Sequence, residues 1–257
     1  MIESAKRPPS GALLFLEGRA IGEFFSFAAS AASLNLVSPR GDGQPVLVLP
    51  GLATSDRSTV ALRSFLKSIG YPTYGWDMGP NFGPRPGVEM GLIQRMQDIY
   101  EEHGRKISLV GWSLGGIYAR QLAKMQPDLV RQVISLGSPF QGNPRATNAW
   151  RVYEYTSGES ADHSDHHMGG KISAPPPVPT TAIYSKTDGI CAWQNCIEQD
   201  SDIAENIQVR GSHCGLGHHP AVAYAIADRL AQKEGQWKKF DRSGLKRGIF
   251  PEADYAK

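Results

Sequence analysis

From Pro45 onward the chain alternates short unbroken apolar runs with stretches whose apolar residues recur at helical spacing. Val46-Leu47-Val48-Leu49 ends at Pro50-Gly51, as a strand buried on both faces should. Residues 59–69 predict an amphipathic helix through Val60, Leu62, Phe65, Leu66 and Ile69, stopped by Gly70. Residues 71–76 predict the next strand, and a Pro/Gly-rich loop over 79–87 leads to a helix over about 89–103. Then come a strand at 107–111, a helix at 114–125 closed by Pro127, and a strand at 130–136. This alternation predicts an α/β fold, with a mostly parallel central sheet and helices on both faces.

The rhythm breaks between about 140 and 178. A loop of that length is uncommon in a compact domain unless it has its own role. It is read as an inserted cap or lid segment within one domain spanning 1–257. Its Phe140, Trp150, Tyr153 and Tyr155 are candidates for an apolar wall. Strand signals return at 180–184 and 206–209, and a closing helix is expected over 220–232. The charged tail after Lys233 carries Trp237 and Phe240 and is expected to dock loosely.

At the amino terminus the apolar run is cut by Glu17, Arg19 and Glu23, which argues against a secretory leader. Residues 24–37 are diluted by Ser26, Ser30, Ser33 and Asn35 and fall short of the roughly 20 residues that span a bilayer. They are read as a surface helix, with no transmembrane segment, and the protein as cytoplasmic. Lys+Arg 27 against Asp+Glu 25 gives a net charge of +2, which argues against a nucleic-acid partner. The three cysteines, Cys191, Cys196 and Cys214, make neither a disulfide framework nor a zinc pattern. A bridge between two of them stays open, as does the oligomeric state.

The chemistry concentrates at Gly111-Trp112-Ser113-Leu114-Gly115, followed by Gly116, between a predicted strand and a predicted helix. Small residues two positions either side of a serine allow a sharp turn that lifts the hydroxyl above the sheet. A hydroxyl needs a base to become a nucleophile at neutral pH, and the base needs an orienting carboxylate. Asp188 follows the strand at 180–184, and His213 follows the strand at 206–209. Both positions lie where the carboxyl ends of later strands place functional groups. His218 and His219 beside Pro220 read as the entry to the last helix, and Asp200 and Asp202 as solvent-facing. The backbone N–H groups of Leu114 and of Leu52, in the Pro50-Gly51-Leu52 turn, are the expected donors to an oxyanion.

Together the Pro-Gly-Leu turn, the Gly-Trp-Ser-Leu-Gly-Gly elbow, Tyr184-Ser185 with Asp188-Gly189, and Gly211-Ser212-His213 resemble the α/β-hydrolase superfamily, in its bacterial lipase and carboxylesterase branch. The resemblance covers roughly residues 45–230. It implies a catalytic Ser113, Asp188 and His213, a small-molecule carboxylic ester as substrate, and no cofactor. Pro50 stands where many lipases have a histidine before the oxyanion glycine, at a position where only backbone groups matter.

Two other readings keep their place. An acyltransferase would use the same triad on an alcohol or amine acceptor, and a non-catalytic binding protein would use only the fold. Asp162, His163, Asp165, His166 and His167 form a cluster read as a solvated loop, not a metal site. Asp56 and Arg57 are expected to cap or position the helix that follows them.

Overall fold

In a computed structural model of the chain, residues 4, 5, 7–163, 168 and 170–253 are described. Two helices, Gly11–Phe15 (α1) and Ala20–Val37 (α2), run almost continuously through the turn Leu16–Arg19. The core then alternates: Val46–Leu49 (β1), Asp56–Ser68 (α3), Thr73–Gly75 (β2), Val88–His103 (α4), Ile107–Trp112 (β3), Leu114–Met125 (α5) and Val130–Leu136 (β4). Trp150–Ser157 (α6) precedes Thr180–Ser185 (β5), Ala204–Val209 (β6), Pro220–Leu230 (α7) and the short Lys246–Ile249 (α8).

The six strands form one sheet in the order β2-β1-β3-β4-β5-β6, parallel at every junction. Side chains alternate across it, as the period of two requires. Val46, Val48, Val110 and Ile134 pack with α2, α3 and α7, while Leu47, Leu49, Leu109 and Val133 pack with α4 and α5. These strand side chains are closed to solvent, so truncating Leu109 to alanine would cost about 2–5 kcal/mol. Strand order reverses between β1 and β3, which opens a crevice at their carboxyl ends.

Element boundaries follow local chemistry. Helix α3 starts at Asp56, three residues before the predicted start at 59, because the Ser55 side chain accepts the Arg57 N–H and caps it. Asp56 does not cap; its carboxylate accepts the N–H groups of Trp76 and Asp77, each at 2.9 Å, and ties α3 to the end of β2. His219 caps α7, accepting the Ala221 N–H at 3.2 Å, and His218 meets the Ala20 carbonyl at 3.1 Å.

Two expectations are corrected. The amino-terminal helical run is longer than residues 24–37: it extends over Gly11–Val37, 27 residues, and by length and composition is enough to cross a membrane. Serines and an asparagine dilute its hydropathy without breaking the helix. In this structure it lies along the protein, with Phe27 and Leu34 buried and Phe15, Ile21, Phe25 and Leu36 exposed. The tail is also held more firmly than expected. Phe250 is buried in the core at 4.7 Å from the Phe240 ring, and the Phe240 N–H reaches Glu205 at 2.6 Å.

Candidate active site

Ser113 sits between β3 and α5 with φ 54° and ψ −120°, a conformation that L-residues avoid and that costs on the order of 1–3 kcal/mol. Its N–H donates to the Leu136 carbonyl at 2.8 Å, which pins the turn to the neighbouring strand. The flanking glycines are set by space. A Cβ on Gly111 would lie 2.3 Å from the Gly115 oxygen, one on Gly115 2.3 Å from the Leu49 oxygen, and one on Gly116 1.9 Å from Ser138 Oγ. The elbow is therefore a close approach of three backbone segments that no side chain would permit.

Asp188 and His213 come together beside it. Asp188 is 3% exposed and His213 5%, and His213 Nδ1 lies 2.7 Å from Asp188 Oδ2. The other carboxylate oxygen accepts the N–H groups of Ile190 at 2.8 Å and Cys191 at 2.7 Å. Trp112 Nε1–H donates to the His213 carbonyl at 3.1 Å, so the elbow itself anchors the histidine loop. Gly137, at φ 56°, leaves room for the pair: a Cβ there would stand 3.0 Å from His213 Nδ1 and 3.1 Å from Asp188 Oδ2. Among the described residues no hydrogen bond joins the Ser113 hydroxyl to the His213 ring.

Burial disfavours a charged His213, but the Asp188 carboxylate and then Cys191 outweigh it and hold the imidazole well above its ordinary value. The three cysteines are free thiols; Cys196 Sγ donates to the Ala192 carbonyl at 3.6 Å, and Cys191 lies against His213. Ligand atoms of Asp188, Cys191 and His213 lie within 4.8 Å of one another, yet the Asp188 oxygens are already taken by three donors.

The turn after β1 faces the elbow, and a Cβ on Gly51 would be 3.3 Å from Ser113 Cβ. Among the described residues no acceptor takes the N–H of Leu52 or of Leu114. Both residues, with Ser113, line a cavity of about 80 Å³. Its other walls are mostly apolar, from Ile117, Pro139, Trp150, Tyr153 and Ile172, and Thr147 and Cys191 reach it too. Of the four aromatic candidates for this wall, Trp150 and Tyr153 take part. Phe140 is instead buried in the core under the Arg120 guanidinium, and Tyr155 is 90% exposed.

Other predicted residues fall elsewhere. Asp200 is exposed and paired with Lys239 at 2.7 Å, and Asp202 is exposed. Asp162 bonds Arg145 at 2.8 Å; Asp165, His166, His167 and the His163 side chain lie outside the described residues.

Sequence reasoning missed the groups that hold the site. Asn81 is fully buried in the Pro/Gly-rich loop. Its Nδ2 donates to the Pro50 carbonyl at 2.8 Å, its carbonyl takes the Ala53 N–H at 2.7 Å, and its own N–H reaches Thr54. Nothing in the local pattern marks it. Glu17, Arg19 and Glu23 bind the loops that carry Asp188 and His213. Their signal was legible: charges that interrupt an apolar helix need partners if that face is packed.

Residues 88–190, less than half of the chain, match the family described as PGAP1-like alpha/beta domain. That stretch contains Ser113 and Asp188. A triacylglycerol lipase of Burkholderia plantarii is 28% identical over 127 residues, 46% of this chain and 36% of the relative. One of Pseudarthrobacter phenanthrenivorans is 29% identical over 108 residues, 38% and 34% respectively. The matches thus span about a third of these curated relatives' length. Aspergillus fumigatus lipase B superposes with a TM-score of 0.57 at 17% identity, over 76% of this chain and 53% of that one. A Bacillus licheniformis lipase in mature form gives 0.53 at 16%, over 77% and 95%. The all-parallel sheet, the serine elbow and these likenesses give the chain an α/β-hydrolase fold similar to that of lipases and esterases.

Proposed function

We propose that the protein is a serine hydrolase of carboxylic esters with an apolar acyl part. The observation that carries this reading is the convergence, at one cavity, of the strained Ser113 and the free Leu52 and Leu114 N–H groups, with the buried Asp188–His213 pair beside them. His213, oriented by Asp188, takes the Ser113 proton as Oγ attacks the ester carbonyl. The two N–H groups stabilise the oxyanion, each worth on the order of 10²–10³ in rate. His213 then protonates the leaving alcohol, and water repeats the sequence on the acyl-enzyme. The Ser113–His213 hydrogen bond closes with substrate in place, as loose geometry in a ligand-free site permits. The lipase names of the relatives support an ester substrate, and the apolar cavity supports an acyl chain.

The test is release of p-nitrophenol from acetate, butyrate, octanoate and palmitate esters. Wild type is expected to turn over at least one, and Ser113→Ala to lose about 10⁴-fold or more in kcat. Equal rates for the two proteins, or no turnover of any ester by folded wild type, would overturn the reading.

A further inference from the structure

We propose that Glu17 is a positioning residue for the Asp188–His213 pair, its single carboxylate joining the two loops that carry them. The inference rests on the serine-hydrolase reading above and deepens it. Glu17 stands at the junction of α1 and α2 and is 8% exposed. Its Oε1 accepts the N–H of Gly189, next to Asp188, at 2.7 Å, and the N–H of His213 itself at 2.9 Å. Its Oε2 accepts the Cys214 N–H at 2.8 Å. One anion thus fixes the backbone on both sides of the acid–base pair, and charge-assisted bonds of this kind are the strong ones.

The neighbouring residues act on the same loops. Arg19 Nη2 donates to the Thr187 carbonyl at 2.6 Å and to the Gly211 carbonyl at 2.8 Å. Glu23 accepts the Ser212 N–H at 2.9 Å and its hydroxyl. Gly189 is built for this docking, since a Cβ there would lie 2.3 Å from the Leu13 carbonyl oxygen. The amino-terminal helices therefore grip residues 187–189 and 211–214 through three charged side chains. A staple that only held the helices to the body would not need to converge on these two loops.

The charged and titratable groups facing His213 are Asp188, Cys191, Glu17 and Cys214. Loss of the Glu17 charge takes away one contribution favouring the imidazolium, so the pH limb set by His213 moves down. A purely structural role does not move that limb in a folded variant.

The experiment measures labelling of Ser113 by a fluorophosphonate, in which Oγ attacks phosphorus, fluoride leaves and the Ser113 proton passes to His213. The full chain is compared with Glu17→Ala, Glu17→Gln and Glu17→Asp across pH and reagent concentration, with melting followed in parallel. Glu17→Ala is expected to slow the saturated labelling rate about 10–100-fold, as small misplacements of catalytic groups do, with half-saturation little changed. Glu17→Gln, which keeps one acceptor oxygen, is expected to fall between and to carry the shifted limb. Wild-type rate and limb in folded Glu17→Ala would overturn the proposal; if that variant fails to fold, the same result in Glu17→Gln would do so. Wild type that melts cooperatively yet never labels at Ser113 would instead overturn the serine-hydrolase reading, and this proposal with it.

Discussion

His213 Nδ1 and Asp188 Oδ2 stand 2.7 Å apart in a pocket of protein that leaves neither side chain more than a few per cent exposed. Burial works against the imidazolium, and the carboxylate overcomes it, so His213 holds its proton to a pH above its ordinary 6.5. A general base must be unprotonated, and ester hydrolysis is therefore expected to rise with pH through a limb lying above 6.5. The same shift stabilises the fold fully below pH 6.5, and that stability is lost as pH rises through the folded-state value. In Asp188→Asn the limb is expected to fall and kcat to drop about 10⁴-fold, as loss of the orienting carboxylate does in such triads. A pH profile of kcat/KM for both proteins checks this; a wild-type limb at or below 6.5 would contradict it.

Asn81 holds the turn that carries the Leu52 N–H by bonds on both sides of it, to Pro50 and to Ala53 and Thr54. Asn81→Ala keeps the backbone bonds and removes the side-chain bonds to the Pro50 carbonyl and from the Gly83 N–H. The turn then loses part of its fixed orientation, and kcat is expected to fall about tenfold or more with KM little changed, because the oxyanion exists only near the transition state. Steady-state kinetics on the preferred p-nitrophenyl ester decide it, and a rise in KM alone would show that the turn contributes ground-state binding.

Arg120 and Glu198 form an ion pair buried beneath the segment that walls the cavity. The guanidinium also stacks on Phe140 at 3.7 Å and donates to the Ala174 carbonyl at 3.1 Å. Glu198→Gln leaves a buried cation uncompensated, at a cost of about 3–5 kcal/mol. For a chain of this size that is a drop on the order of 10 °C in Tm. Thermal unfolding followed by circular dichroism measures it, and a Tm within a degree or two of wild type would show that the pair stabilises nothing.

The parts written in periodicity were the parts legible in the sequence. An unbroken apolar run marks β1, apolar-rich runs mark β3 and β4, and small residues around Ser113 mark the elbow, because a parallel sheet and a sharp turn each impose a local composition. Asp188 and His213 followed from strand ends and chain order. Contacts between distant segments left no such trace: Asn81 against Pro50, Cys191 against His213, and Phe140 under Arg120 are chosen by tertiary packing. Glu17 lay between these cases. In the sequence it stands as an interruption of an apolar run, and only the folded chain shows what that interruption binds.

The bonds from Glu17 to His213 and Cys214 close loops of 196 and 197 residues. Contacts that distant are entropically late in folding. During synthesis the chain passes through a long interval in which the elbow, β1, β3 and β4 have all been made while the two loops beneath Glu17 have not. Ser113 is thus synthesised well before the His213 proposed to take its proton. A truncated polypeptide that ends before β6 therefore carries Ser113 without the His213 proposed as its base, and the contacts that position His213 form only when the last quarter of the chain returns to its first twenty-odd residues.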